Sequence, residues 1–258
     1  MANRPKSAGM HHGPGFRVRL DMQRHSTTII GGLAAFPTPD ISDLLNRLYA
    51  VDARIHCLTP ETSQLCGPAC TVRVFPGDNL MVHKVLDVAR PGDVVIVDAG
   101  ASPSNAVLGD IICTKARHRG IQGFIVDGMV RDLSGINEVK MPVFARGATP
   151  VGPLHRGPGE INYPIACGGV VTSPGDIVVA DADGIVVVPT GVAEELLERL
   201  RAQRDSSEAY LKAVQRGEFS NAWVDELLTE SDCPLIHPEL PPTNGVPRGA
   251  PLEEPFVS

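Results

Sequence analysis

Between residues 38 and 190 the apolar positions switch repeatedly between two spacings. Thr71 to Phe75, Val94 to Val97, Phe124 to Val126 and Pro142 to Ala145 are short β-branched or apolar runs bounded by Pro, Gly and Asp, and they read as buried strands. Between them, Asn79 to Ala89 repeats apolar residues at Val82, Val85, Leu86 and Ala89, a helical period. Asp110 to Arg119 reads as a second helix closed by Gly120. Thr38-Pro39-Asp40 supplies an N-cap, a proline for the first helical position and an early acid. A short amphipathic helix with Ile41, Leu44, Leu45 and Leu48 on one side follows, carrying Asp43. Alternating strands and helices predict an α/β domain. Asp93-Val-Val-Ile-Val-Asp98 and Asp176-Ile-Val-Val-Ala-Asp181, each preceded by Pro-Gly, echo one another and predict two similar β-units in one barrel-like core.

The ends have a different character. Residues 1–30 mix Gly, Pro, His and Arg without periodicity and are expected to form a mobile extension, in which the His11-His12 pair has no evident partner. From Thr190 a long polar helix is expected, with Val192, Leu196, Leu197 and Leu200 on one side, then a short one around Trp223, Val224, Leu227 and Leu228. The expected organisation is an extension at 1–30, one α/β domain at 31–232 and a proline-rich tail at 233–258.

Composition narrows the class. A chain of 258 residues, 43% apolar and 21% charged, can bury one large core. A formal charge of −7 leaves no global positive field, so nucleic acid is not an expected partner. The longest apolar runs fall far short of the roughly 20 residues a membrane helix needs, and Gly, His and Arg interrupt the amino terminus where a secretion signal would be continuous. A cytoplasmic protein is expected. Six cysteines are too sparse for a disulfide scaffold, and Cys66-Gly-Pro-Ala-Cys70 has neither a usual zinc nor a redox spacing, so buried or half-buried thiols are expected there.

Three segments carry candidate chemistry. Leu108-Gly109-Asp110-Ile111-Ile112 sets glycine and an acid at a helix start, where the first amides have no partner within the helix. Those amides suit a carboxylate ligand, although a plain N-cap has the same sequence. Val126-Asp127-Gly128-Met129-Val130-Arg131-Asp132 is a strand that stops and presents adjacent opposite charges. Arg131 offers a fork of donors to an oxyanion and Asp132 an oxygen to a hard cation; a surface ion pair is the competing reading. Pro76-Gly77-Asp78-Asn79 with His83 can be read as a helix cap with a base four residues on; the cap, with a structural histidine, is the favoured reading. Lys84, Lys115 and Lys140 have no evident desolvating pocket, which argues against Schiff-base chemistry.

Taken with Pro142-Val143-Phe144, Asn162 to Gly169 and the Pro174-Gly175-Asp176 to Pro189 stretch, these segments resemble one family over residues 38 to 215. It is the class II pyruvate aldolases acting on 4-hydroxy-4-methyl-2-oxoglutarate and 4-carboxy-4-hydroxy-2-oxoadipate, whose relatives include the regulator of ribonuclease activity A. The resemblance implies a swivelling-domain type β/β/α barrel, a homotrimer or homohexamer, and a divalent metal, Mg2+ or Mn2+. It implies that Asp132 holds the metal through waters, that Arg131 binds the 2-oxo oxygen, and that Gly109, Asp110, Ile111 and Ile112 hold the pyruvyl carboxylate. Asp110 would orient a metal-bound water that serves in proton transfer, and Asp43 and Glu208 would complete the metal's water shell from an adjacent subunit. The implied reaction is retro-aldol cleavage of a carboxylated 4-hydroxy-2-oxo acid to pyruvate and a second 2-oxo acid, with oxaloacetate decarboxylation at the same site.

Two departures stand against the family pattern: the tails before residue 30 and after 232, and Asp rather than Glu at position 43. The alternative function is a non-catalytic protein-binding regulator, since relatives share the fold without needing aldol chemistry. A quinone-pathway methyltransferase would need a glycine-rich nucleoside loop after a first strand, which is not present.

Overall fold

The computed structural model describes residues 9–234, so the tail from 235 on lies outside the described residues. They fall into two compact units that divide between Ser207 and Glu208. In the first, four strands run parallel in chain order: β3 (Leu65–Val74), β4 (Val94–Ala106), β5 (Gly123–Val130) and β6 (Val143–Ala148). Three helices connect them: α3 (Leu80–Val85), α4 (Asp110–His118) and α5 (Leu133–Val139). All three cover one face of the sheet, where Val95, Val97, Phe124 and Val126 meet Val82, Val85, Ile112, Ala116 and Ile136. Strands buried on both sides must be apolar throughout, which is why these runs lack polar alternation.

Among the described residues the sheet has nine strands. Two edge additions are β2 (His56–Cys57) beyond β6 and β7 (Gly159–Ile161) beside β3, with β1 (Phe16–Val18) outermost. The antiparallel pair β10 (Ile177–Ala180) and β11 (Ile185–Val188) branches from β3. A separate hairpin, β8 (Ile165–Cys167) and β9 (Val170–Thr172), belongs to a second core with Ile96, Ile125 and Phe144. A third core seats α1 (Thr27–Leu33), α2 (Thr38–Leu44) and the first turns of α6 (Ala193–Gln215) on β10 and β11. The mixed α/β expectation is met. Among the described residues no ladder closes the sheet on itself; the paired order runs open from β1 to β2.

The echoed segments are β4 and β10. They flank the same strand β3, one parallel and one antiparallel, and so are not two equivalent units. What they share is the turn before each: Asp93 accepts the Arg90 amide at 2.8 Å and Asp176 the Ser173 amide at 2.7 Å, each aspartate closing its own Pro-Gly turn.

Two local expectations change. The α2 helix begins one residue earlier than its cap motif implied, with Pro37 at the N-cap. The Thr38 hydroxyl donates instead to Asp181 at 2.7 Å. The stretch expected to be a mobile extension, 1–30, includes β1 and the first turn of α1, a helix that ends on the fully buried Leu33. Its anchors are ionic and distant in sequence: Arg24 clasps Asp93 through two bonds of 2.8 and 2.7 Å, and Arg17 meets Glu160 at 2.6 Å. Burial pushes the Glu160 carboxyl up, but the Gly15 amide and the Arg17 guanidinium outweigh it and hold it below the usual carboxylate range.

Cys70 is buried and Cys66 half-buried, as expected, and burial pushes both thiols up to about 12. In the second unit the end of α6 is followed by α7 (Ala222–Glu230), which carries Trp223, Val224, Leu227 and Leu228. Among the described residues no helix is long and apolar enough to cross a membrane.

Candidate active site

In parallel α/β sheets, ligand sites gather where strands end at their carboxyl edge, because the loops there are free to present side chains and helix N-termini together. The chain follows this rule. A cleft of about 360 Å³ is lined by Asn79 and His83 after β3, by Leu108–Ile112 after β4, by Arg131 and Asp132 after β5, and by Gly152, Pro153 and His155 after β6. Four successive parallel strands thus each contribute one segment.

The two main motifs are locked together. The Arg131 amide donates to the Leu108 carbonyl at 3.1 Å. Gly109 is the N-cap of α4, and a Cβ on it would stand 2.5 Å from Asp132 Oδ2 and 3.1 Å from Arg131 Cγ, so only glycine admits this approach. Gly152 does the same for the guanidinium: a Cβ there would lie 2.6 Å from Arg131 Nη1. Its carbonyl is held by Asn105 Nδ2 at 2.7 Å.

At the start of α4 the amides face an anion of the protein's own. Asp110 Oδ1 accepts the Ile111 amide at 2.6 Å, the position a bound carboxylate would compete for. Asp132 sits in the left-handed region at φ 58° and caps no amide of α5 with its side chain. Its carboxylate contacts Arg131 Nε at 3.2 Å with about two-fifths of each side chain exposed, so this pair does not exhaust either group. Backbone strain of this kind gathers at functional positions.

Asp110, Arg131, Asp132, Gly109, Ile111 and Ile112 therefore come together, as expected. Asp43 does not join them: it lies exposed on α2 and pairs with Arg47 at 2.9 Å. Glu208 is exposed on the part of α6 that belongs to the second unit. No group of three or more His, Cys, Asp or Glu suited to a metal occurs among the described residues.

The rest of the lining includes Asn79 and His83, which the sequence singled out, and His155, which it did not. The helix-cap expectation holds at Asp78, whose Oδ1 accepts the Leu80 amide at 2.8 Å. Asn79 is free of that duty and contacts His155 instead. His83, read as structural, opens onto the cleft, and burial, then Lys115, then His155 hold its imidazole below its usual range. His83 stands four residues after Asn79, one helical turn, and this spacing was the available signal. His155 had none.

Fold and cleft define a class, an α/β protein with a helix N-terminus, an arginine and an exposed carboxylate at one strand-end site. The aldolase/RraA family model matches residues 38–187, and the chain belongs to that family. A protein of Halalkalibacterium halodurans named "Putative 4-hydroxy-4-methyl-2-oxoglutarate aldolase" is 39% identical over 211 residues, covering 81% of this chain and all of its own. Among solved structures, Streptomyces coelicolor RraAS2, described as an unusual member of the RNase ES inhibitor RraA family, superposes with a TM-score of 0.67. It is 28% identical, over 74% of this chain and 98% of that one. The RNA-processing inhibitor RraA of Thermus thermophilis gives a TM-score of 0.55 at 34% identity, over 60% of this chain and 93% of that one.

Proposed function

We propose that this chain is a divalent-metal-dependent lyase that cleaves a carboxylated 4-hydroxy-2-oxo acid to pyruvate and a second 2-oxo acid, and decarboxylates oxaloacetate at the same site. The name of the Halalkalibacterium relative supports the substrate class. The observation that carries the reading is the close approach of Gly109 to Asp132, which puts the start of α4, Arg131 and Asp132 in one cleft and so supports their use as carboxylate, oxyanion and metal ligands.

In this reading the amides at the start of α4 take the pyruvyl carboxylate in place of Asp110 Oδ1, and Arg131 donates to the 2-oxo oxygen. As the C3–C4 bond breaks, charge grows on that oxygen, and the guanidinium bond strengthens with it. Released from Ile111, the Asp110 carboxylate is available to orient a proton donor. A divalent cation, when bound, supplies positive charge beside the same oxygen.

The donors fit a hydrated ion. One exposed carboxylate, Asp132, with Asp110 nearby, is too few ligands for a dehydrated cage but suits Mg2+, which keeps most of its water; Mn2+ would substitute. Asp43 and Glu208 of neighbouring copies would complete the water shell, which requires a homotrimer or homohexamer built from swivelling barrels. An active monomer in light scattering would return both acids to ordinary surface positions.

The test is pyruvate release from a panel of 4-hydroxy-2-oxo acids and from oxaloacetate, with and without magnesium. Metal-stimulated release from at least one is expected. Folded protein that releases none would overturn the lyase and leave the protein-binding regulator, to which the names of the Thermus and Streptomyces neighbours point.

A further inference from the structure

The cleft that holds Arg131 and Asp132 is also lined by a fixed imidazole, His155. Asn79 is only 2% exposed, and its Oδ1 lies 2.6 Å from Nδ1 of His155. A carboxamide oxygen has no proton to give, so the contact places the proton on Nδ1. In the neutral ring Nε2 then keeps its lone pair. It projects from the far side of the ring, away from the buried asparagine.

The backbone holds both partners in place. The Asn79 amide donates to the Leu154 carbonyl at 2.9 Å, the Leu154 amide to the Gly77 carbonyl at 2.8 Å, and the Arg156 amide to Asp78 Oδ2 at 2.5 Å. This is the arrangement expected of a base whose orientation is set by a third group. His83 packs edge-on against it, with ring centroids 5.5 Å apart and planes at 67°, yet no hydrogen bond fixes the His83 ring among the described residues. Burial, then Lys115, then His155 disfavour the imidazolium form of His83, the second ring of this pair.

We propose that His155 takes and returns the proton of the aldol step, and that Asn79 is the residue that positions it; this rests on the lyase reading above. A substrate anchored by its pyruvyl half at Arg131 and α4 turns its C4 hydroxyl toward the histidine wall. His155 Nε2 accepts the hydroxyl proton and the O–H electron pair becomes the second bond of the C4 carbonyl. The C3–C4 bond breaks, and its pair remains on C3 as the enolate of pyruvate. The same proton is then delivered from Nε2 to C3, so the sequence closes with no net proton and no co-reactant.

Oxaloacetate provides the discriminating comparison, because it has no C4 hydroxyl proton to surrender. In His155→Gln, turnover of a 4-hydroxy-2-oxo acid should fall by about 10²-fold or more, the range for a lost acid–base group, and by at least about tenfold more than oxaloacetate decarboxylation falls. Added imidazole should restore part of the aldol rate in His155→Ala. The titratable and charged groups that share this cleft are His83 on α3, Asp110 at the start of α4, and Arg131 and Asp132 after β5, with Lys115 acting on His83. Against that constant background, Asn79→Asp adds a carboxylate that favours imidazolium, so the acid limb of the aldol pH profile should move to higher pH. Equal losses in the two reactions, an undiminished aldol rate, or an acid limb that stays in place would each overturn the proposal. Should Asn79→Asp fail to fold, the exposed His155 variants decide alone. Wild-type protein inactive on both substrates would overturn the lyase reading and this one with it, whereas active wild type with an unaffected His155→Gln overturns only the role of His155.

Discussion

The Cβ that Gly109 lacks would stand 2.5 Å from Oδ2 of Asp132. Two segments that follow different strands thus touch at the point where each contributes its functional group. Gly109→Ala must push the Asp132 carboxylate aside. A misplacement of about 1 Å at a reacting centre costs on the order of 10²-fold in turnover, while losing a favourable N-cap residue costs about 1 kcal/mol of stability. Steady-state turnover, magnesium titration and a thermal melt on the same sample separate the two effects. Normal turnover in the variant would detach Asp132 from the chemistry.

Arg131→Ala should lose turnover far more than substrate binding, because the guanidinium bond grows toward the transition state. About 10²-fold, roughly 3 kcal/mol, is the usual cost of removing one such donor. Arg131→Lys should recover part of it, since charge remains but the planar fork is lost. If the contact with Asp132 were only a surface ion pair, the alanine variant would lose less than about 1 kcal/mol of stability and keep its kinetics with oxaloacetate.

Exhaustive chelation should abolish activity and magnesium should restore it, because few protein oxygens hold the ion. Borohydride added with substrate should leave no covalent adduct in the intact mass. Lys84, Lys115 and Lys140 are all exposed, and an exposed ammonium is not poised to form an imine. Full activity in chelator would end the metal hypothesis.

Glu160 anchors β1, and its lowered carboxyl gives that anchor a pH dependence. A depressed acid contributes stability that is present above its unfolded value, near 4.5, and is lost as pH falls through the lower folded value. Urea midpoints of the wild type should therefore fall through that acid window more steeply than those of Glu160→Gln, with the two curves parallel near pH 7. Coincident slopes would show that the Arg17 pair adds nothing beyond screened surface charge.

Asp110 and the Arg131-Asp132 pair could be singled out as candidates in the sequence because each belongs to a local signal, a helix start or the end of an apolar strand. The four parallel strands were legible for the same reason. Burial on both faces enforces continuous apolar runs, and a helix on one face enforces its own period. The Pro-Gly-Asp echo marks two similar turns, each closed by its own aspartate, and not the two similar β-units it suggested. What the echo did not reveal was the opposite sense in which β4 and β10 pair with β3.

The tertiary structure decided the parts whose partners are far away along the chain. Residues 16–33 show no period, and they are ordered by Arg24 meeting Asp93, 69 positions on, and Arg17 meeting Glu160, 143 positions on. His155 sits in a loop with no pattern, and its orientation comes from Asn79, 76 positions earlier. Periodicity reports which face of one element is buried. The hydrogen bond that gives a side chain its tautomer and direction depends on which elements the fold brings alongside, and that is set by packing between elements.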